Sequence, residues 1–88
     1  MIHSLSGGVL KENTPIDFAK VKIINNNKIA WYICSHLPDL KENDKVLVPV
    51  GIDNFLEEAV VLRIDKQISP QVTPTPIKRT KKIYSIIN

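Results

Sequence analysis

The sequence predicts an all-β fold, a small antiparallel barrel of five or six strands. Its apolar runs are short and rich in Val, Ile and aromatic residues, and Asn, Asp, Gly or Pro separates them, which is typical of strands and turns. The strand-like run KVLVPV contains Pro49, and proline enters sheets at edges and bulges, as in the bent strands of a small barrel. The 88 residues suffice for one small core, so we expect a single domain over residues 1–88.

The expected elements follow these runs in chain order. Residues 1–15 are expected to be either flexible or an edge strand over residues 4–10. Alternation in DFAKVKII and KIAWYICS predicts a hairpin that turns at the Asn triplet 25–27, because asparagine tolerates left-handed backbone. HLPDLKE is expected to be a connector, EEAVVLRID a strand, and the proline-rich segment 67–76 an extended linker. The predicted strands are 17–24, 28–35, 45–50, 57–65 and 81–87.

The length of the first loop decides which face of this hairpin is buried. With a three-residue loop, Trp31 is buried, and Tyr32 lies on the other face with Lys20 and Lys22. With a two- or four-residue loop, Tyr32 is buried and Trp31 joins the lysines. We expect the three-residue loop, because it places the bulkiest apolar set on one face. Either register leaves one aromatic side chain beside Lys20 and Lys22.

The proline in the third strand predicts a corner. Pro49 has no N–H to donate to a ladder, so we expect a bulge there, with Gly51 supplying the backbone freedom for the turn. Val46, Val48 and Val50 then line the interior. The last strand is expected to close the sheet or to pair with a neighbouring molecule, and an exposed edge there makes a homodimer plausible.

A local resemblance rests on a pattern of the form D-x-V-x-V-P-x-G, then a loop and a Val-rich strand. The matching residues are Asp44, Val46, Val48, Pro49 and Gly51, followed by AVVL at 59–62. This stretch resembles the small N-terminal barrel of the bacterial primosomal replication-restart helicase, and the resemblance implies DNA-end binding. Asn43, Val50 and Ala59 stand where that family usually has glycine, a basic or aromatic residue, and glycine. None of the family's DNA-contacting residues is therefore placed here.

We expect the barrel to be Src-homology-like or oligonucleotide-binding-like. The chain also resembles short Firmicutes and phage proteins of unknown function.

The composition of the chain indicates which cellular compartment and which partners to expect. The net charge of +3 is uneven: residues 66–88 carry five basic and no acidic side chains, or +5, and residues 1–65 carry seven basic and nine acidic ones, or −2. The single cysteine, Cys34, excludes an internal disulfide and favours a reducing compartment. The sequence shows no signal-peptide pattern and no long apolar window, so we expect a cytoplasmic protein without membrane contact.

The basic run PIKRTKK is the strongest functional signal. Its cations can neutralise phosphates, and an aromatic side chain beside lysines on the hairpin can stack on a base. The candidate nucleic-acid-binding residues are Lys78, Arg79, Lys81, Lys82, Lys20, Lys22 and Tyr32. They predict a non-enzymatic module that binds DNA or RNA. The alternative is structural: basic runs also keep proteins in solution, and lysine stems can simply cover a half-buried tyrosine.

A second class of function is a protein-interaction or assembly module. It would act through a sheet edge or through the proline-rich strip 70–76, with a protein partner or a second copy as ligand. The strip has its own alternative, a stiff connector that carries the last strand around the barrel.

The sequence indicates no catalytic or metal chemistry. Cys34 and His36 share a face of a strand, but no third group orients the histidine. His3 and His36 are far apart and lack patterned carboxylates, so no metal site is expected. We expect no enzymatic activity, no cofactor and no small-molecule substrate.

Overall fold

The computed structural model describes residues 14–74, 76 and 79–87. Over these residues the chain is all-β, as the sequence predicts, with five strands in one sheet and a 3-10 turn at Pro70–Val72. The strands are β1 (Ile16–Ile23), β2 (Ile29–Ile33), β3 (Lys45–Val50), β4 (Phe55–Ile68) and β5 (Ser85–Ile86). Neighbouring strands are antiparallel, and their order across the sheet is β2-β1-β4-β3-β5. The predicted edge strand over residues 4–10 lies outside the described residues.

The long strand β4 is the centre of the sheet. Its 14 residues pair with β1 on one side and with β3 on the other. The predicted strand 57–65 is confirmed and extends at both ends, and the predicted bounds of β3 are confirmed. In the described part of the chain, no helix is long and apolar enough to cross a membrane.

One face of the curved sheet carries the core. Alternate side chains of a strand point to the same face, so the small and β-branched residues of β1, β3 and β4 meet there. The core cluster contains Ala19, Val21, Ile23, Tyr32, Cys34, Leu40, Val46, Val48, Ala59, Val61 and Ile83. Val50 packs against it and is partly buried. Phe18 is also completely buried but lies outside this cluster.

The β1–β2 hairpin turns through a four-residue loop. The N–H of Ile23 donates to the carbonyl of Lys28 at 2.8 Å, and the N–H of Asn27 donates to the carbonyl of Ile23 at 2.8 Å. Asn27 has a φ of 59°, the left-handed backbone for which the Asn triplet is suited. The expected three-residue loop is therefore wrong.

This loop reverses the expected roles of the two aromatic residues. Ala19 pairs with Tyr32 and Lys20 pairs with Trp31, so Tyr32 lies on the core face and Trp31 on the face of Lys20. Tyr32 is 6% exposed. Its burial is tolerated because the hydroxyl donates a hydrogen bond to the carbonyl of Pro49 at 2.8 Å.

The predicted bulge at Pro49 is also wrong. The β3–β4 ladder runs through Pro49 and Leu56 without a shift of register. The carbonyl of Leu47 accepts from the N–H of Tyr84, so the backbone of odd-numbered residues in β3 faces away from β4. Pro49 therefore needs no donor for the β4 ladder, and β5 pairs only with Val46 and Leu47 on the other side. The predicted turn after β3 is confirmed, with Gly51 at a φ of 75°.

The register shifts lie instead between β1 and β4. One falls between Ile16 and Phe18, and the other between Lys20 and Val21. At the first, the side chain of Asp17 accepts a hydrogen bond at 2.8 Å from the N–H of Gln67, which has a φ of 55°. Such bulges increase the local twist of a sheet.

The sheet is not closed. Within the described residues, the C-terminal segment 81–87 contacts β2 and β3 in turn, but no ladder joins those two strands. Ile33 in β2 donates to the carbonyl of Lys81 at 2.8 Å and accepts from the N–H of Ile83 at 3.0 Å. Only Ser85–Ile86 then forms a ladder with β3, so the last strand is shorter than the predicted 81–87.

Changing Tyr32 to Phe tests the hydrogen bond between the Tyr32 hydroxyl in β2 and the Pro49 carbonyl in β3. We expect the free energy of unfolding to fall by about 1–2 kcal/mol, because the carbonyl of Pro49 loses its donor while partly buried. Urea denaturation measures this loss. Tyr84→Phe is the matched control, since the side chain of Tyr84 is exposed, and its effect should stay within about 0.5 kcal/mol. Equal effects of the two substitutions would contradict the assignment.

Candidate functional site

A groove of about 310 Å³ lies between the free side of β2 and the end of β3. Its volume is at the lower end of the range for small-ligand sites. The residues that line it, hereafter the groove, are Ile23, Lys28, Ile29, Ala30, Trp31, Tyr32, Pro49, Val50, Gly51, Arg79 and Lys81. Ile23 and Tyr32 are buried, whereas Lys28 and Arg79 are exposed, so an apolar interior leads to a basic opening.

The free edge of β2 forms one wall of the groove. Lys28 directs its carbonyl to β1, and Ile33 directs its backbone groups to the C-terminal segment. Because backbone direction alternates along a strand, the N–H and C=O groups of Ile29 and Trp31 point away from β1. Among the described residues no ladder uses these groups, so they are available to a ligand.

The C-terminal segment brings two cations to the groove. A turn precedes them: the N–H of Arg79 donates to the carbonyl of Pro76 at 3.0 Å, and the hydroxyl of Thr80 donates to the same carbonyl at 2.7 Å. The backbone of Lys81 is then held by Ile33, and its ammonium group donates to the carbonyl of Gly51 at 2.5 Å. The segment thus fixes Arg79 and Lys81 opposite β2.

The groove is positively charged. Among the described residues, three cations line it and no acidic side chain does. The ion pairs found within the described part of the chain lie elsewhere, at Lys45–Glu58 and Arg63–Asp65. Lys28 and Arg79 have no carboxylate partner among the described residues, which leaves their charges for an anionic ligand.

Trp31 is the aromatic residue of the groove that can meet a ligand through its ring. It is half-buried, and its indole N–H has no hydrogen-bond partner within the described residues. Tyr32 also lines the groove, but its ring is packed into the core and its hydroxyl is bonded to Pro49. Burial, and then the nearby Glu57 carboxylate, raises the pKa of Tyr32.

The structure brings together only part of the predicted site. Arg79, Lys81 and Tyr32 line the groove. Lys82 is exposed, does not line the groove, and bridges to Ile33 through its backbone. Lys78 lies outside the described residues.

The lysines of β1 lie apart from the groove. Lys20 and Lys22 occupy the face of the sheet opposite the core, and Lys20 pairs with Trp31 at the edge of the groove. The expected position of Tyr32 beside these lysines is wrong, and Trp31 takes that place.

Sequence reasoning missed Lys28 and gave Trp31 only as the alternative to Tyr32. The signal for Trp31 was the alternative register with a four-residue loop. Lys28 stands directly after the Asn triplet, but nothing in its local sequence indicates that the C-terminal cations lie across from it.

The side chain of Cys34 is buried in the core, and the ring of His36 forms a hydrogen bond to the backbone. Burial, reinforced by the Asp17 carboxylate and opposed by Lys66, raises the pKa of the Cys34 thiol to about 11. The thiol is therefore protonated at neutral pH, and a protonated thiol is a poor nucleophile. The Nε2 atom of His36 lies 2.7 Å from the carbonyl of Ile83, an acceptor, so Nε2 carries the proton and donates.

Comparison with known proteins gives no relative: no protein-family model, no curated protein and no solved structure matches the chain.

The buried thiol predicts a loss of stability in alkali. The unfolded chain releases the Cys34 proton near pH 9 and the folded chain near pH 11, so ionisation favours the unfolded chain between these values. We expect a loss on the order of 2 kcal/mol across this window, and Tyr32 adds to it. Urea unfolding at pH 7, 9, 10 and 11 measures the profile. Cys34→Ala should make the profile less steep, with the contribution of Tyr32 remaining, and parallel profiles for the two proteins would contradict the burial of the thiol.

Proposed function

We propose that this chain is a non-enzymatic module that binds single-stranded nucleic acid in the groove. The observation that carries the proposal is that Trp31, Lys28, Arg79 and Lys81 surround one cavity, which no acidic side chain in the described part of the chain lines. An aromatic ring that stacks on a base, flanked by cations that hold the backbone, is the general design of single-strand-binding surfaces.

Each group has a separate role in this proposal. A base stacks on the exposed part of the Trp31 ring, and its edge meets the free backbone groups of Ile29 and Trp31. Arg79 binds a phosphate with two parallel hydrogen bonds, and Lys28 acts as a point charge on the next phosphate. Lys81 contributes charge while it stays bonded to Gly51.

A single strand fits this groove better than a duplex. The cavity of about 310 Å³ has the Trp31 ring in its wall, and this ring can stack on the face of a base, which a duplex keeps stacked inside. A strand that leaves the groove over Trp31 reaches Lys20 and then Lys22 on the adjacent strand, which extends the basic path.

We also propose that the domain has a barrel-like fold. The bulged β1–β4 ladder and the C-terminal segment that contacts both β2 and β3 support a barrel-like, Src-homology-like or oligonucleotide-binding-like domain. The local resemblance to the replication-restart helicase barrel points the same way. The lone buried thiol fits a reducing compartment such as the cytoplasm.

Trp31 gives a direct readout of binding, because it is the one tryptophan of the chain. Titration with a short dT or rU oligonucleotide should quench or shift its fluorescence. Trp31→Ala should weaken binding by about 1–3 kcal/mol, whereas Trp31→Phe should keep part of the stacking. Fluorescence anisotropy of a labelled oligonucleotide compares the variants, and unchanged affinity in Trp31→Ala would remove stacking from the proposal.

The cations predict a salt dependence that is specific to the groove. Each phosphate contact to a single strand contributes about 0.7 to the slope of log K against log salt, so Lys28→Ala with Arg79→Ala should reduce the slope by about 1.4. Lys41→Ala with Lys66→Ala removes the same charge from exposed positions outside the groove and is the matched control. Equal slopes for the two double variants, or a flat salt response, would contradict the proposal.

A second candidate function is the binding of an extended protein segment along the edge of β2. The free backbone groups of Ile29 and Trp31 favour it, because a peptide can add to a sheet edge through main-chain hydrogen bonds. This binding would survive the Lys28→Ala and Arg79→Ala substitutions and would depend weakly on salt. The double variant above therefore separates the two candidates.

A further inference from the structure

The turn between β3 and β4 carries an unusual apolar tip. Residues 51–54 form the turn, with Gly51 at a φ of 75° and Asn54 at 55°, and β4 follows at once. Ile52 is 99% exposed and Phe55 is 69% exposed. Two large apolar side chains exposed to water within four residues at the end of a hairpin are a feature of interaction surfaces.

The tip also carries a negative charge. Asp53 lies between Ile52 and Phe55 and is exposed, and it forms no ion pair with a described residue. The tip therefore combines apolar side chains with a carboxylate. The groove combines an apolar interior with the free cations of Lys28 and Arg79, so the two surfaces are complementary in charge and in polarity.

The tip and the groove lie on the same side of the molecule. Gly51, the first residue of the turn, lines the groove, and Lys81 bonds to its carbonyl. Two complementary surfaces that adjoin each other allow a two-fold arrangement, in which each copy gives its tip and receives the tip of the other.

We propose that two copies of this chain associate through reciprocal insertion of the tip, Ile52 to Phe55, into the partner's groove. Ile52 and Phe55 leave water, and Asp53 meets the cations at the opening. The interface is small, so the association is weak and reversible.

This association has a consequence for ligand binding that rests on the proposed function. The tip and a single-stranded nucleic acid occupy the same groove and meet the same cations. The dimer is therefore the unliganded form at high concentration, and nucleic acid converts it to a liganded monomer.

Sedimentation velocity without nucleic acid tests the dimer, at protein concentrations from about 10 µM to 1 mM, the range in which a weak association is populated. The wild-type chain should shift from monomer to dimer with concentration. Ile52→Ser and Phe55→Ser should each weaken the association about tenfold or more, as expected for anchors of a small interface. Val72→Ser is the matched control, because Val72 is exposed and lies outside both surfaces, and it should behave as the wild type. The exposure of Ile52 keeps loss of folding out of the comparison.

A monomer throughout this range would overturn the proposal. A dimer that persists in both Ile52→Ser and Phe55→Ser would also overturn it, since the interface would lie elsewhere.

A dT oligonucleotide added to the dimer then tests the shared groove. Conversion to a monomeric complex supports reciprocal insertion. An oligonucleotide that binds the intact dimer shows that the tips do not fill the grooves and overturns the proposal. An oligonucleotide that binds neither form overturns the proposed function, and the sedimentation of the Ile52 and Phe55 variants still decides on the dimer.

Discussion

The hydrogen bond from the hydroxyl of Tyr32 to the carbonyl of Pro49 joins two strands that share no ladder in the described part of the chain. Tyr32 is anchored in the core opposite Ala19, and Pro49 is anchored in the ladder with β4. The bond therefore sets the distance between the free side of β2 and the end of β3, which is the width of the groove. Trp31 follows from it as well, because a buried Tyr32 forces its neighbour to the other face of the strand. The gap between β2 and β3 and the position of the half-buried Trp31 ring therefore have one cause.

Much of the sheet could be predicted from local pattern. The alternating valines gave the bounds of β3, and EEAVVLRID indicated the centre of β4, since both depend on side chains that are neighbours in the chain. The extension of β4 to Ile68 could not be predicted, because Asp17 holds Gln67 across the sheet. The position of Pro49 was misjudged for a related reason: a proline is admitted wherever its nitrogen faces away from the neighbouring ladder, and no bulge is needed.

The type of site could be predicted from the sequence, but the set of residues that form it could not. The cations at Arg79 and Lys81 and an aromatic residue on the hairpin were evident from the sequence. Their meeting point was not, since it depends on the bridge between Ile33 and Lys82, residues far apart in the chain. We expected Trp31 to be buried only because that register places the bulkiest apolar side chains on one face. Tyr32 is buried instead because Pro49 offers its hydroxyl an acceptor, and such partners appear only when the strands are assembled.

Several contacts that hold the sheet and the C-terminal segment together join distant parts of the chain. His36 meets Ile83 across 47 residues, and Asp17 meets Gln67 across 50, whereas the β1–β2 hairpin closes locally. Distant contacts form late, because the entropy of closing long loops is lost before they contribute. The hairpin should thus exist before Ile33 is bonded to Lys81 and Ile83, and during that interval the whole outer edge of β2, including Ile33, faces other unfinished chains. Mispairing in a crowded refolding mixture, rather than unfolding of the finished sheet, is then the step at which this protein is most vulnerable to aggregation.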